Sequence, residues 1–151
     1  MAETSMTLRS PAFSDHTLIP SAYSHESGDV HPPLTWSGVP DGTVELDLVC
    51  TDPDARHGTF VHWLLAGIPP TEEGLPTGER PSAALAGRNG FNTSGYGGPH
   101  PPVGDEPHRY FFRLYALSEP SGMQPGFTLD DLAPHVEKAL ATSTLVGLYG
   151  R

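Results

Sequence analysis

One stretch limits what this chain can become: Gly95 to Leu117. Its first part, to Pro107, packs Gly95, Gly97, Gly98 and Gly104 among Pro99, Pro101, Pro102 and Pro107. Neither a helix nor an interior strand tolerates that density, because proline removes backbone donors and glycine makes ordering costly. A loose linker is equally excluded. Proline fixes φ and glycine reaches φ values closed to other residues, so the loop has a set shape. Its second part opens with His108-Arg109-Tyr110 and continues as an apolar, aromatic run to Leu117, which reads as a central strand. A shaped loop that feeds polar residues onto a rigid strand is a common construction for a binding site.

Other strands must flank this one. Val44 to Thr51 alternates, with Val44, Leu46, Leu48 and Cys50 on one face and Glu45, Asp47, Val49 and Thr51 on the other, the pattern of a half-buried strand. Phe60 to Gly67 is apolar on both faces except for His62. Residues 1–6 read as a frayed end, Met6 to Arg9 as a short first strand, and residues 71–94 as loop. Thr128 stands at an N-cap position with Asp131 at capping-box spacing. Pro134 would interrupt a helix begun there, so the expectation is a short turn and then a helix from near Pro134. Leu145 to Tyr149 predicts a last short strand. Strands do not alternate with helices, so the expected fold is a mostly β single domain over 1–151, a sandwich with one short C-terminal helix.

Composition narrows the function. The formal charge of −10 argues against nucleic acid, whose phosphates need a basic surface. Cys50 is the only cysteine, so no intrachain disulfide exists, and on the apolar face of its strand it reads as a core filler. The start, Met-Ala-Glu-Thr-Ser, has neither the basic region nor the apolar core of a signal peptide, and no apolar run approaches the ~20 residues of a membrane span. A cytoplasmic protein with no stable membrane insertion is the expectation.

Three places carry chemistry. Asp52 and Asp54 flank a proline where a strand ends; His62 is the one titratable residue of its strand; His108 and Arg109 open the central strand. Each also has a plain reading: a turn, a satisfied core histidine, a solvated strand end. No spacing matches a compact zinc motif, and no nucleophile elbow, P-loop or dinucleotide fingerprint occurs, so neither metal nor cofactor is expected. If the three strands are neighbours, these groups converge at one end of a sheet.

Ser10-Pro-Ala-Phe, Pro33-Leu-Thr-Trp-Ser-Gly-Val-Pro, Asp52-Pro-Asp-Ala, Val61-His-Trp-Leu, Gly95-Tyr-Gly-Gly-Pro-His-Pro-Pro, His108-Arg-Tyr-Phe-Phe-Arg-Leu-Tyr-Ala-Leu and Leu145-Val-Gly-Leu-Tyr-Gly-Arg resemble, in order along the chain, the phosphatidylethanolamine-binding protein family. Within it the chain most resembles the bacterial YbhB/YbcL type, also called Raf-kinase-inhibitor-like. The resemblance implies an antiparallel two-sheet β-sandwich with a small anion pocket at one end of the large sheet. Carried over by position, the ligand-binding residues are Asp52, Asp54, His62, Gly98, Pro101, Pro102, His108 and Tyr110. It also implies a homodimer, since bacterial members often form dimers.

Three departures stand out. The family usually continues Asp-Pro-Asp-Ala with proline, where this chain has Arg56, a residue able to meet an anion. His100 replaces the cysteine of Gly-Pro-Cys-Pro-Pro, and His25 stands where many bacterial members have another cysteine. His100 joins the expected ligand-binding set on that account. Adjoining His25 and His100 could stack, hydrogen-bond or share a metal; otherwise they are unrelated surface histidines.

The expected function is binding of a small phosphorylated or carboxylated molecule, with regulation of a partner enzyme implied by analogy. The alternative is an enzyme in which His62, His108, Asp52 and Asp54 act as general acid and base in a dehydration, cyclisation or isomerisation. A third is an interaction module with a vestigial pocket. A deep apolar cavity favours the enzyme, a shallow phosphate-sized pocket favours binding, and obstruction by Arg56 or His100 favours the third.

Overall fold

A computed structural model describes residues 6–151; most of the expected frayed end lies outside the described residues, and Met6 itself is buried. The strands are β1 (Thr7–Arg9), β2 (Thr17–Leu18), β3 (Leu34–Ser37), β4 (Glu45–Asp52), β5 (Phe60–Ile68), β6 (Gly74–Leu75), β7 (Leu85–Ala86), β8 (His108–Leu117) and β9 (Ala141–Tyr149), with one α-helix, α1 (Leu129–Val136), before the last strand. A small sheet, β1-β3-β6, faces a large one, β2-β9-β8-β4-β5-β7. The predicted central strand is central: β8 pairs antiparallel with both β4 and β9. Among the described residues only the edge strand β2 departs from the antiparallel pattern, running parallel to β9.

Alternation along the strands builds the core between the sheets. Leu46, Leu48 and Cys50 of β4, Trp63 and Leu65 of β5, and Tyr110, Phe112 and Leu114 of β8 pack with Leu8, Leu34, Trp36 and Leu75 from the small sheet. Burying each of the larger side chains contributes about 1.5–3 kcal/mol.

The expectation of a half-buried β4 is corrected. Every residue from Glu45 to Asp52 is buried, and only Val44, just outside it, is exposed. The second face is covered by Phe127 and Leu132, which pack on Val49, Leu64 and Ala66. Alternation records side-chain polarity, and here two acids lie beneath the cover. Ser121 donates to Glu45 from its backbone N–H (3.1 Å) and its hydroxyl (2.6 Å), and the Gly67 N–H donates to Asp47 at 3.1 Å.

The helix expectation is corrected too. The helix begins at Leu129 and carries Pro134 inside it. Thr128 accepts from the Asp131 N–H (3.3 Å), and Asp131 accepts from the Thr128 N–H (3.0 Å), completing the capping box. The cap and the fully buried Leu132 outweigh the one backbone bond that proline removes. The last strand spans Ala141–Tyr149 because it pairs along nearly all of β8, which its Thr/Ser-rich first half does not announce. The stretch expected to be loop holds the two-residue strands β6 and β7.

Candidate functional site

The ends of β4, β5 and β8 meet, and a break in register decides what they present. β4 pairs Cys50 with Trp63 but Thr51 with Val61, so His62 is the extra residue of a β-bulge. Strict alternation from Trp63 would send His62 to the helix-covered face. The bulge instead lets Val61 pack against the outer cluster, while His62 lies edge-on to Tyr110 at 5.2 Å between ring centroids. His62 Nδ1 is 2.6 Å from the Gly97 carbonyl. A carbonyl only accepts, so Nδ1 carries the proton and Nε2 of the neutral ring is left as an acceptor. Burial lowers the His62 pKa, outweighing the bond to Gly97 and the charge of Asp52, and favours that neutral ring.

His108 is held differently. Its Nδ1 lies 2.7 Å from Asp52 Oδ2 and its Nε2 lies 3.1 Å from Asp105 Oδ2. Burial lowers its pKa, but the two carboxylates more than offset that and raise it, so an imidazolium is favoured. Asp52 is itself fixed, since its Oδ1 accepts from the Asp54 N–H at 2.8 Å in an Asx turn. Arg56 Nη2 donates to Asp105 Oδ1 at 2.8 Å. A row of alternating charge results: Asp52, His108, Asp105, Arg56.

Asp52, His62, His100, Pro101, Pro102 and His108 line one cleft of about 330 Å³. Asp54, Gly98 and Tyr110 are not on its lining. Asp54 accepts three bonds from Arg109, from the backbone N–H (2.9 Å), Nε (2.9 Å) and Nη2 (2.8 Å), which hold its carboxyl down to about 2. Gly98 packs against backbone: a Cβ there would lie 2.3 Å from the Tyr23 carbonyl oxygen. Tyr110 is buried behind His62, its hydroxyl without a partner among the described residues, and burial raises its pKa. Phe60, Phe91 and His57 line the cleft with no signal of that role in the sequence; Ala55, the last residue of the Asp-Pro-Asp-Ala motif, and Arg56, a departure from the family pattern, line it with them. Phe91 lies in a loop that no periodicity marks. Asp105 had one signal, being an acid three residues before His108 in a Gly/Pro loop.

His25 and His100 do adjoin, with ring centroids 4.8 Å apart, and His25 stacks on Phe91 at 4.3 Å. Burial, then Arg151 and His25, hold the His100 pKa below its ordinary value. Among the described residues no group of three or more His, Cys, Asp or Glu side chains is arranged to hold a metal ion. Cys50 lies in the core, where burial pushes its thiol pKa well up. A second groove of about 400 Å³ runs between β1 and β9; Asp15 on its lining accepts the Val146 N–H and pairs with His16 Nδ1 at 3.0 Å, and no histidine is among its lining residues. No helix among the described residues is long and apolar enough to cross a membrane.

A family model described as phosphatidylethanolamine-binding protein matches residues 9–150. A UPF0098 protein of Methanothermobacter thermautotrophicus is 41% identical, with 97% of this chain and 99% of that protein covered. Two crystal structures superpose with TM-scores of 0.91. One is a phosphatidylethanolamine-binding protein homologue of Chlamydia trachomatis, 34% identical over 99% of each chain. The other is YbcL of Escherichia coli, 28% identical over 97% of this chain and 98% of that one. The chain therefore belongs to the phosphatidylethanolamine-binding protein family, beside the UPF0098 proteins and YbcL.

Proposed function

We propose that the protein binds a small phosphorylated or carboxylated molecule in this cleft. The observation that carries the reading is a pair of cations, Arg56 and the His108 imidazolium, at one end of a cleft walled by Phe60, Phe91, Pro101 and Pro102. Ionised donors make the strongest hydrogen bonds to oxyanions. The volume exceeds that of a bare phosphate and sits at the lower end of small-molecule pockets, so the ligand has an anionic head and a compact apolar body. Asp52 orients His108, Asp54 anchors Arg109 beside it, Tyr110 backs His62, and Gly98 seats the loop that brings His100, Pro101 and Pro102 to the cleft.

The sign with pH follows from His108. Its raised pKa keeps the proton through the ordinary imidazole range, so anion affinity persists there and falls as pH rises through the raised value. Calorimetric titration of a phosphomonoester from about pH 5.5 upward, with the His108 imidazole signals followed alongside, tests this, and affinity should fall over the range in which His108 deprotonates. Affinity that stays level while His108 loses its proton would sink the reading.

A second reading rests on one observation. The environments of His62 and His108 push their pKa values apart, leaving a neutral acceptor and a protonated donor in one cleft. That is the condition for a general base and a general acid at neutral pH. Incubating host metabolite extract with wild type and His62→Gln, followed by mass spectrometry, would reveal a metabolite consumed only by the wild type. A cytoplasmic location, a homodimer and regulation of a partner protein complete the proposal, and are accessible to fractionation, sedimentation and co-purification.

A further inference from the structure

Asp105 is not on the lining of the cleft, yet it engages both cations that are. One of its oxygens accepts from Arg56 Nη2 at 2.8 Å and the other from His108 Nε2 at 3.1 Å. Both donors of the proposed anion locus are thereby engaged by a carboxylate of the chain itself. The other carboxylate on His108 has a different standing. Asp52 is buried, belongs to β4, and is bound through both oxygens. Asp105 sits in the turn between Pro102 and Pro107, with a quarter of its side chain exposed. Backbone bonds tie the turn to the Pro102 carbonyl (3.3 Å) and the Arg151 carbonyl (3.1 Å). Its partner Arg56 is 63% exposed, and ion pairs at such exposure are weakly held. Gly104, next to it, has φ +90°, a conformation that glycine holds without strain. Withdrawing Asp105 frees Nε2 of His108 and one face of Arg56 and leaves the Asp52 contact in place.

We propose that Asp105 is an internal stand-in for the ligand's oxyanion, and that phosphate or carboxylate groups enter the cleft by exchanging with it on Arg56 and His108. This rests on the reading of the cleft as an anion site. Exchange replaces one carboxylate by another oxyanion on the same two cations, so an anion with no further contacts gains little over Asp105. A ligand whose body also covers Phe60 and Phe91 gains that burial in addition. Asp105 is thus a specificity-determining residue: it selects against bare inorganic anions and for anions that carry an apolar group.

The test is titration of inorganic phosphate at about pH 6, followed by calorimetry and by the imidazole nitrogen signals of His108, in wild type, Asp105→Asn and Glu106→Gln. The first substitution keeps the shape of the side chain and removes its charge. Glu106 is exposed and makes no hydrogen bond among the described residues, so its variant removes the same charge one residue away. Asp105→Asn should bind phosphate at least tenfold more tightly than wild type, with Glu106→Gln within about twofold of it. Equal affinity in wild type and Asp105→Asn, with the His108 signals moving in both, overturns the exchange and leaves the anion site standing. Equal gains in both variants also overturn it, since the effect would then be the general field alone. Absence of binding in all three would remove the anion site and the exchange together.

Discussion

Two titratable side chains lie almost without exposure on neighbouring strands, Asp47 of β4 and His62 of β5, and burial drives both toward neutrality. For the acid this means a raised pKa, for the imidazole a lowered one. Burial first, then the adjoining Glu45, push the Asp47 carboxyl up to about 9. Glu45 is pushed up by burial as well, but the neighbouring Asp47 carboxyl and the bonds from Ser121 outweigh that and leave it lowered. The proton of the pair therefore stays on Asp47, whose Oδ2 has no hydrogen-bond partner among the described residues. Between an unfolded value near 4 and the folded value the native state binds a proton that the unfolded chain does not, so this group's contribution to stability declines as pH rises across that window. Asp47→Asn carries its amide donor at every pH and still accepts the Gly67 N–H. It should gain on wild type by about 1–4 kcal/mol between pH 5 and 8 in urea unfolding. A constant difference between the two proteins across that range would refute the raised Asp47 pKa. Neither the depth of Asp47 nor the proton it holds was legible in the alternating pattern, because alternation does not say whether a helix lies over the second face.

At the scale of elements, α1 and the bulge in β5 decide most of what differs from expectation. The helix covers the outer face through Leu132, which is fully buried against Val49, Leu64 and Ala66. Leu132→Ala should cost about 2–5 kcal/mol by leaving a cavity, and Thr128→Ala about 1 kcal/mol by opening the cap. Chemical denaturation measures both, and a smaller loss for Leu132→Ala than for Thr128→Ala would mean that the cap, and not the packing, secures this helix. The capping box is readable from Thr128 and Asp131. The start of the helix is not, because Pro134 argues against it locally and the burial of Leu132 that outweighs the proline is set by distant strands. The bulge leaves no mark at all in Phe60 to Gly67. It exists because β4 and β5 fall out of step around Asp47–Gly67 and again at His62, and pairing between distant strands sets that register.

For the whole molecule, the contact that joins the distant parts of the site is Gly98. The loop it belongs to presses on the Tyr23–His25 backbone, donates the Gly98 N–H to Asp29 at 2.8 Å, and closes with His25 N–H on the Pro99 carbonyl at 2.9 Å. A Cβ at this position would meet backbone atoms at 2.3, 2.7 and 2.8 Å, none of which can swing away as a side chain can. Gly98→Ala should therefore cost about 1–3 kcal/mol and part His25 from His100. Thermal melting and the imidazole signals of the two histidines report the two effects, and an unchanged melting temperature would show that the loop is looser than its packing indicates.

What the sequence determined by itself is chemical and local. A dense Gly/Pro stretch enforces a shaped loop, an apolar aromatic run enforces a central strand, and Asp-Pro-Asp enforces a turn, because each depends on backbone freedom and side-chain polarity within a few residues. The family resemblance supplied the convergence of Asp52, His62 and His108, which spacing could not. Tertiary structure alone decided the charge of each group and its partner. It set Asp105 and Arg56 in line with His108, turned Asp54 away to Arg109, and made His62 an acceptor by placing the Gly97 carbonyl at its Nδ1. Protonation depends on burial and on neighbours far away in the chain, and no local pattern encodes either.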